Sequence, residues 1–187
     1  MSDEIWLELL NSDWHDYRGS GRREDRLDNP EWRSRFLAAW GADLAGVPVS
    51  ELVAGLRRLR DAIRRLVGAY TAGRLVGLED WRELNGILDG SPCVRRMAGG
   101  PGRPRLQMVP LRRGLPAVLA DIAGAFAEAV STGDPARIKT CQNQDCGWTF
   151  YDRSKNRSRR WCEDTCGNLI KVRRFRRKRN HEPHEPH

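Results

Sequence analysis

Four cysteines near the C-terminus have the types and spacing to act together. Four residues separate Cys141 from Cys146, three separate Cys162 from Cys166, and 15 lie between the pairs. Two close pairs flanking a short insert let four thiolates converge as a tetrahedron on one Zn²⁺. A segment this small cannot fold by burial alone, so metal binding would supply much of its folding energy. Four thiolates leave zinc no open position, which makes the expected site structural rather than catalytic. A disulfide framework and an iron–sulfur site are the alternatives, the first disfavoured by a cytosolic setting. Cys93 stands alone and is expected to be a small buried hydrophobe.

Charge is divided as sharply as the cysteines. The net charge is +8, yet residues 1–135 hold 19 Arg and 19 Asp plus Glu, while residues 136–187 hold 14 Lys plus Arg against six acids. Such asymmetry suggests a neutral body carrying a device for a polyanion. After Cys166 a helix is expected, with Leu169, Val172 and Phe175 as an apolar stripe against the finger. Lys171, Arg173, Arg174, Arg177 and Lys178 then sweep an outward arc, and Arg153, Lys155, Arg157, Arg159 and Arg160 add to it from the insert. Arginine forks and lysine ammonium groups suit phosphates, and a basic helix fits the major groove.

The elements that must position these groups read as mainly helical. Asp28 or Asn29 before Pro30 starts a helix carrying Trp32, Phe36, Leu37 and Trp40. Leu52, Leu56, Leu59, Ile63, Leu66 and Tyr70 mark a long helix opened by Ser50, whose arginines 57, 58, 60, 64 and 65 read as a solvated face. Further helices are expected at 78–88, with Trp81 and Leu84 inward, and across Leu115, Leu119, Ile122, Phe126 and Val130. The Gly99–Gly102 cluster between Val94–Met97 and Leu106–Val109 predicts a β-hairpin. Residues 14–29 read as a loop. In the cysteine insert, Thr149–Tyr151 is β-prone, 153–156 turn-like, and 159–161 leads back, a hairpin inside a treble-clef-like finger. The expected organisation is a helical domain over 1–135, a zinc module over 136–180 and a disordered tail over 181–187.

Cys146-Gly147-Trp148, Phe150, Asp152-Arg153-Ser154, Asn156, Arg159-Arg160-Trp161-Cys162, Cys166-Gly167-Asn168 and Lys171 together resemble the CGNR zinc finger over about 40 residues. Leu10-Asn11-Ser12, Pro30-Glu31 with Trp40, Leu59 to Ile63, and Leu84-Asn85 resemble its N-terminal partner, the stress-induced transcription regulator (ABATE) domain. The resemblance implies a bacterial DNA-binding transcription regulator with one Cys₄ zinc per chain, Cys141, Cys146, Cys162 and Cys166 being the ligands. One residue departs from the pattern: Leu169 stands where the family name has Arg.

The leading expectation is therefore a cytoplasmic DNA-binding regulator whose N-terminal domain senses a small molecule or protein partner, or dimerises. An RNA-binding protein stacking bases on Trp148, Phe150, Tyr151 and Trp161, and an adaptor for an acidic protein, are the other readings. No catalytic set is evident. His15 reads as a polar loop residue, His181, His184 and His187 as an inert tail, and no phosphate-loop or dinucleotide fingerprint is present. No apolar run reaches membrane-spanning length, and the acidic start lacks the pattern of a secretory signal.

Overall fold

Ile5, Trp6, Leu7, Leu9 and Leu10 are too many apolar residues for one face of a helix, and α1 (Ile5–Leu10) is accordingly surrounded, with all five buried. The computed structural model describes residues 4–40, 44–100 and 102–181. Asn29 caps α2 (Pro30–Phe36), its side-chain oxygen accepting from the amides of Glu31 and Trp32 while Pro30 fills the first turn. The long helix α3 (Val49–Thr71) buries Leu52, Leu56, Leu59, Ile63 and Leu66 along one side. It packs against α1, α4 (Leu78–Leu88) and α5 (Leu115–Ser131). At the centre the Trp6 ring meets Phe126 edge-on, centroids 5.1 Å apart.

Residues 14–29 are more ordered than their polarity suggested. β1 (Asp13–His15) pairs antiparallel with β2 (Arg23–Asp25), so His15 sits in a strand rather than a loop. The arginines of α3 explain why. Arg60, only 6 % exposed, donates to Ser12 Oγ at 2.8 Å and to both Asp25 oxygens at 2.7 and 2.8 Å. Arg57 adds bonds to Asp25 at 3.0 Å and Asp28 at 2.8 Å, and Arg64 reaches Asp13 at 3.1 Å. Arg58 and Arg65 pair with Glu83 on α4. The stripe expected to face water is an ion-pair clamp on the hairpin and α4. Burial pushes the Asp25 carboxyl up, but the hydrogen bonds from Arg60 and Arg57 outweigh it and lower its pKa to about 2.

The predicted glycine-linked hairpin forms from β3 (Cys93–Ala98) and β4 (Arg105–Pro110), in the register Val94 opposite Val109 and Met97 opposite Leu106. Cys93 is exposed, not buried, because it lies at the first position of this projecting ribbon. β5 (Ile138–Thr140) pairs antiparallel with β6 (Thr149–Tyr151), Ile138 opposite Tyr151. The expected hairpin inside the cysteine insert is thus replaced: β6 pairs with a strand before Cys141, and residues 157–161 form no strand. Ile138 is 2 % exposed and belongs to the helical core. α6 (Asp164–His181) closes the chain. The rest of the expected tail, with His184 and His187, lies outside the described residues, as do Pro101 and the side chain of Trp40. Among the described residues no helix is long and apolar enough to cross a membrane.

Candidate metal centre and basic face

The first cysteine pair is set by a tight backbone knuckle. Cys141 N–H donates to the Trp148 carbonyl at 2.8 Å, and Cys146 N–H donates to the Asn143 carbonyl at 2.9 Å. Gly147 then turns the chain in the left-handed region, φ 65°, where a side chain would be strained, and lies beside the His15 ring. In the second pair, Cys166 lies in the first turn of α6 and Cys162 in the bend just before that helix. A Cβ on Gly167 would approach Trp161 Cε3 to 3.3 Å, so glycine lets the indole cover this turn.

All four sulfurs lie within 4.8 Å of one another, and all four residues are buried. Cys146 Sγ is 3.6 Å from Cys162 Sγ, which is 3.7 Å from Cys166 Sγ. Zn–S bonds of about 2.3 Å in a tetrahedron put sulfurs about 3.8 Å apart, so the donors fit zinc. Thiol crowding points the same way. Hydrogen bonds from Cys146 and Cys162 hold the Cys141 thiol low, while that neighbour drives the Cys146 and Cys162 thiols up. A Zn²⁺ held among the four sulfurs would offset the charge of their thiolates.

Two polar residues to which the sequence assigned no role organise the surroundings. Asn143, 1 % exposed, donates to the Tyr17 carbonyl at 2.8 Å and points the same amide at Cys166 Sγ, 3.6 Å away. Asp152, fully buried, accepts from Lys139 Nζ at 2.6 Å and from the amides of Ser154 and Arg159 at 2.9 and 3.0 Å. Burial pushes its carboxyl up, but these bonds prevail and hold it well below the usual carboxylate range. Asp152 therefore gathers β5, the insert and the approach to Cys162. The Asp-x-Ser turn was a readable signal for part of this; Lys139 was not. Phe150 is buried beside the cysteines, Trp148 and Trp161 pack on them, and Tyr151 packs on the helical core.

The ten cations singled out for nucleic acid fall into two sets. Arg153 pairs with Glu4 at 2.6 Å and Arg157 with Asp134 at 2.8 Å, bridging to the helical body. Arg159 donates to the carbonyls of Trp161 and Cys162, and Arg160 to Gln142 at 2.7 Å. Arg173 turns inward instead of joining the outward arc: it donates to Asp145 at 2.6 Å and to the Arg18 carbonyl at 2.7 Å. Lys155, Lys171, Arg174, Arg177 and Lys178 are exposed and make no ion pair among the described residues. On α6, Lys171, Arg174 and Lys178 fall within one arc at about 100° per residue. Val172 and Phe175, expected against the finger, are 46 % and 63 % exposed, and Leu169 is half-buried. Arg173 and Cys166 occupy the inward side that the apolar stripe was expected to fill.

Two family models match in succession. Residues 3–133 match ABATE, described as "Putative stress-induced transcription regulator", and residues 137–179 match the CGNR zinc finger. The first covers well over half of the chain, and the protein belongs to the ABATE family. With the four buried sulfurs it is a zinc-finger member of that family, holding one Zn²⁺ on Cys141, Cys146, Cys162 and Cys166. A comparison with curated proteins finds no match.

Proposed function

We propose that the protein is a cytoplasmic, non-enzymatic DNA-binding transcription regulator that uses the exposed face of α6 on duplex DNA. The observation that carries this reading is the unpaired basic arc of Lys171, Arg174 and Lys178 on a helix anchored by the zinc site. Zinc here supplies structure: it fixes the start of α6, while Arg173 on Asp145 fixes its rotation. Free cations on a rigid helix give phosphates a preorganised partner, whereas the arginines already spent on Glu4, Asp134 and backbone carbonyls hold the finger together.

The helical domain would sense an effector or partner. A groove of about 760 Å³ between the β3–β4 ribbon and α5 suits this role, lined by Ser91, Pro92, Met108, Asp121 and Ala125. The Ser91 hydroxyl is buried there without a hydrogen-bond partner among the described residues.

The test is duplex binding by the full chain as a function of salt. About five neutralised phosphates give a log–log slope near −4 to −5, and replacing Lys171, Arg174 and Lys178 together by Ala should flatten it by up to about three units. An unchanged slope would remove the basis for the reading. Binding of single-stranded RNA in preference to duplex would favour the RNA reading.

A further inference from the structure

The neutrality of residues 1–135 conceals a second basic element. Residues 92–114, which hold the β3–β4 ribbon and its flanks, contain Arg95, Arg96, Arg103, Arg105, Arg112 and Arg113 and no Asp or Glu. The remaining part of that region is therefore acidic, with 13 Arg against 19 acids. We propose that this ribbon is a second DNA-contacting element, gripping the same duplex that α6 contacts; the proposal rests on the DNA-binding reading and extends it.

The contrast with α3 is the first argument. There each arginine of the stripe is spent on a carboxylate: Arg57 and Arg60 on Asp25, Arg64 on Asp13, Arg58 and Arg65 on Glu83. On the ribbon, the guanidinium groups of Arg95, Arg96, Arg103, Arg105 and Arg113 make no ion pair or hydrogen bond among the described residues, and all five residues are exposed. Arg112 donates only to the Gly90 carbonyl, at 3.3 Å. Carboxylates thus neutralise the arginine stripe of α3, whereas the ribbon arginines are left bare. Six like charges on a short ribbon repel one another, a cost that a polyanion removes.

Shape is the second argument. Two strands about 4.8 Å apart make a ribbon narrow enough for a major groove about 12 Å wide, and six-residue strands reach about 20 Å. Met97, Leu106 and Met108 are 69, 62 and 51 % exposed, so the outer ribbon projects from the body instead of packing on it. Its connecting sequence Gly99-Gly100-Pro101-Gly102-Arg103-Pro104 offers one long side chain, an arginine, among small and cyclic residues. That composition suits close approach to a sugar–phosphate wall.

Position is the third. The groove under the ribbon reaches Glu128 and Thr132 at the end of α5. The same end joins the finger: Asp134 N–H donates to Tyr151 Oη at 3.1 Å, and Asp134 pairs with Arg157. Ribbon base and finger therefore both border the C-terminal end of α5.

The experiment compares the zinc-loaded full chain with two variants, Arg95→Ala/Arg96→Ala/Arg103→Ala/Arg105→Ala and Lys171→Ala/Arg174→Ala/Lys178→Ala. Probes are a mixed-sequence 30-base-pair duplex and single-stranded RNA of equal length, titrated over a range of salt. All seven positions are exposed, and far-UV circular dichroism with zinc content verifies folding. The expected result is a loss of duplex affinity of about tenfold or more for the ribbon variant. Its log–log salt slope should be shallower by about one to two units, the share of the full-chain slope that α6 does not supply, and its protected DNA region shorter. The Lys versions of the four ribbon residues should restore most of the slope. If the ribbon variant binds duplex within twofold of wild type while the α6 variant fails, the ribbon proposal is overturned and the finger reading stands. Loss confined to RNA, or a change in self-association with duplex affinity intact, also overturns it. If the wild-type chain binds no duplex, both fall together.

Discussion

The Asn11 side chain forms a matched pair of hydrogen bonds with the Thr149 backbone, its amide donating to the Thr149 carbonyl and its oxygen accepting from the Thr149 N–H, both at 2.8 Å. One residue at the end of α1 thereby acts as an extra strand partner for β6, joining the helical body to the zinc finger. Both residues are 6 % exposed. Asn11→Ala would leave two buried backbone groups without partners and should destabilise the protein by about 2–3 kcal/mol. Asn11→Asp should be nearly as harmful, because the carboxylate cannot donate. Denaturant unfolding checks this; a change below about 0.5 kcal/mol would mean that the seam is unimportant.

Purified protein should carry one zinc per chain without added metal. Cys146→Ser or strong chelation should release it and unfold the segment from Cys141 to the first turns of α6, leaving α1 to α5 largely intact. Elemental analysis with near-UV circular dichroism on Trp148 and Trp161 follows both events.

Acid stability should reflect Asp25. Its folded pKa is depressed to about 2 by Arg60 and Arg57 against a reference of about 3.9. The stabilisation is therefore fully present above pH about 4 and lost as pH falls through about 2. Allowing for partial exposure, it amounts to about 1–2 kcal/mol. Asp25→Asn should lower stability at pH 7 and flatten its dependence on pH between 4 and 2, which urea unfolding at a series of pH values measures.

The α6 surface gives a graded series. Val172→Ala and Phe175→Ala should each change stability by about 0.5 kcal/mol or less, because both side chains are largely exposed. Leu169→Ala should cost about 1 kcal/mol from its half-buried position. Leu169→Arg should preserve zinc content, since the stem can stay on the surface while the guanidinium reaches water. Thermal unfolding ranks the four variants.

The zinc ligands were legible because ligand chemistry fixes residue type and spacing together. The β3–β4 hairpin was legible because Gly99 to Gly102 interrupt two β-prone runs. What escaped depended on partners distant in sequence. Arg60 read as a solvated residue because nothing beside it reveals Asp25, 35 positions earlier. Thr149–Tyr151 was recognised as a strand, but its pairing with Ile138–Thr140 lies across the knuckle rather than across the insert. On α6 the wheel placed Val172 and Phe175 inward because apolarity was the sole guide. Asp145 had the stronger claim on that face, drawing Arg173 to it.

Ile138 has a consequence for anyone wishing to transplant the finger. It lies three residues before the first zinc ligand, yet its side chain is packed into the helical core. A graft cut at the punctuation near residue 135 would carry an oily foot torn from its socket, together with Tyr151 stripped of its seat and Arg153 and Arg157 parted from Glu4 and Asp134. The finger is not a portable cassette. Ile138 thus ties the helical core to the chain three residues ahead of the first metal ligand.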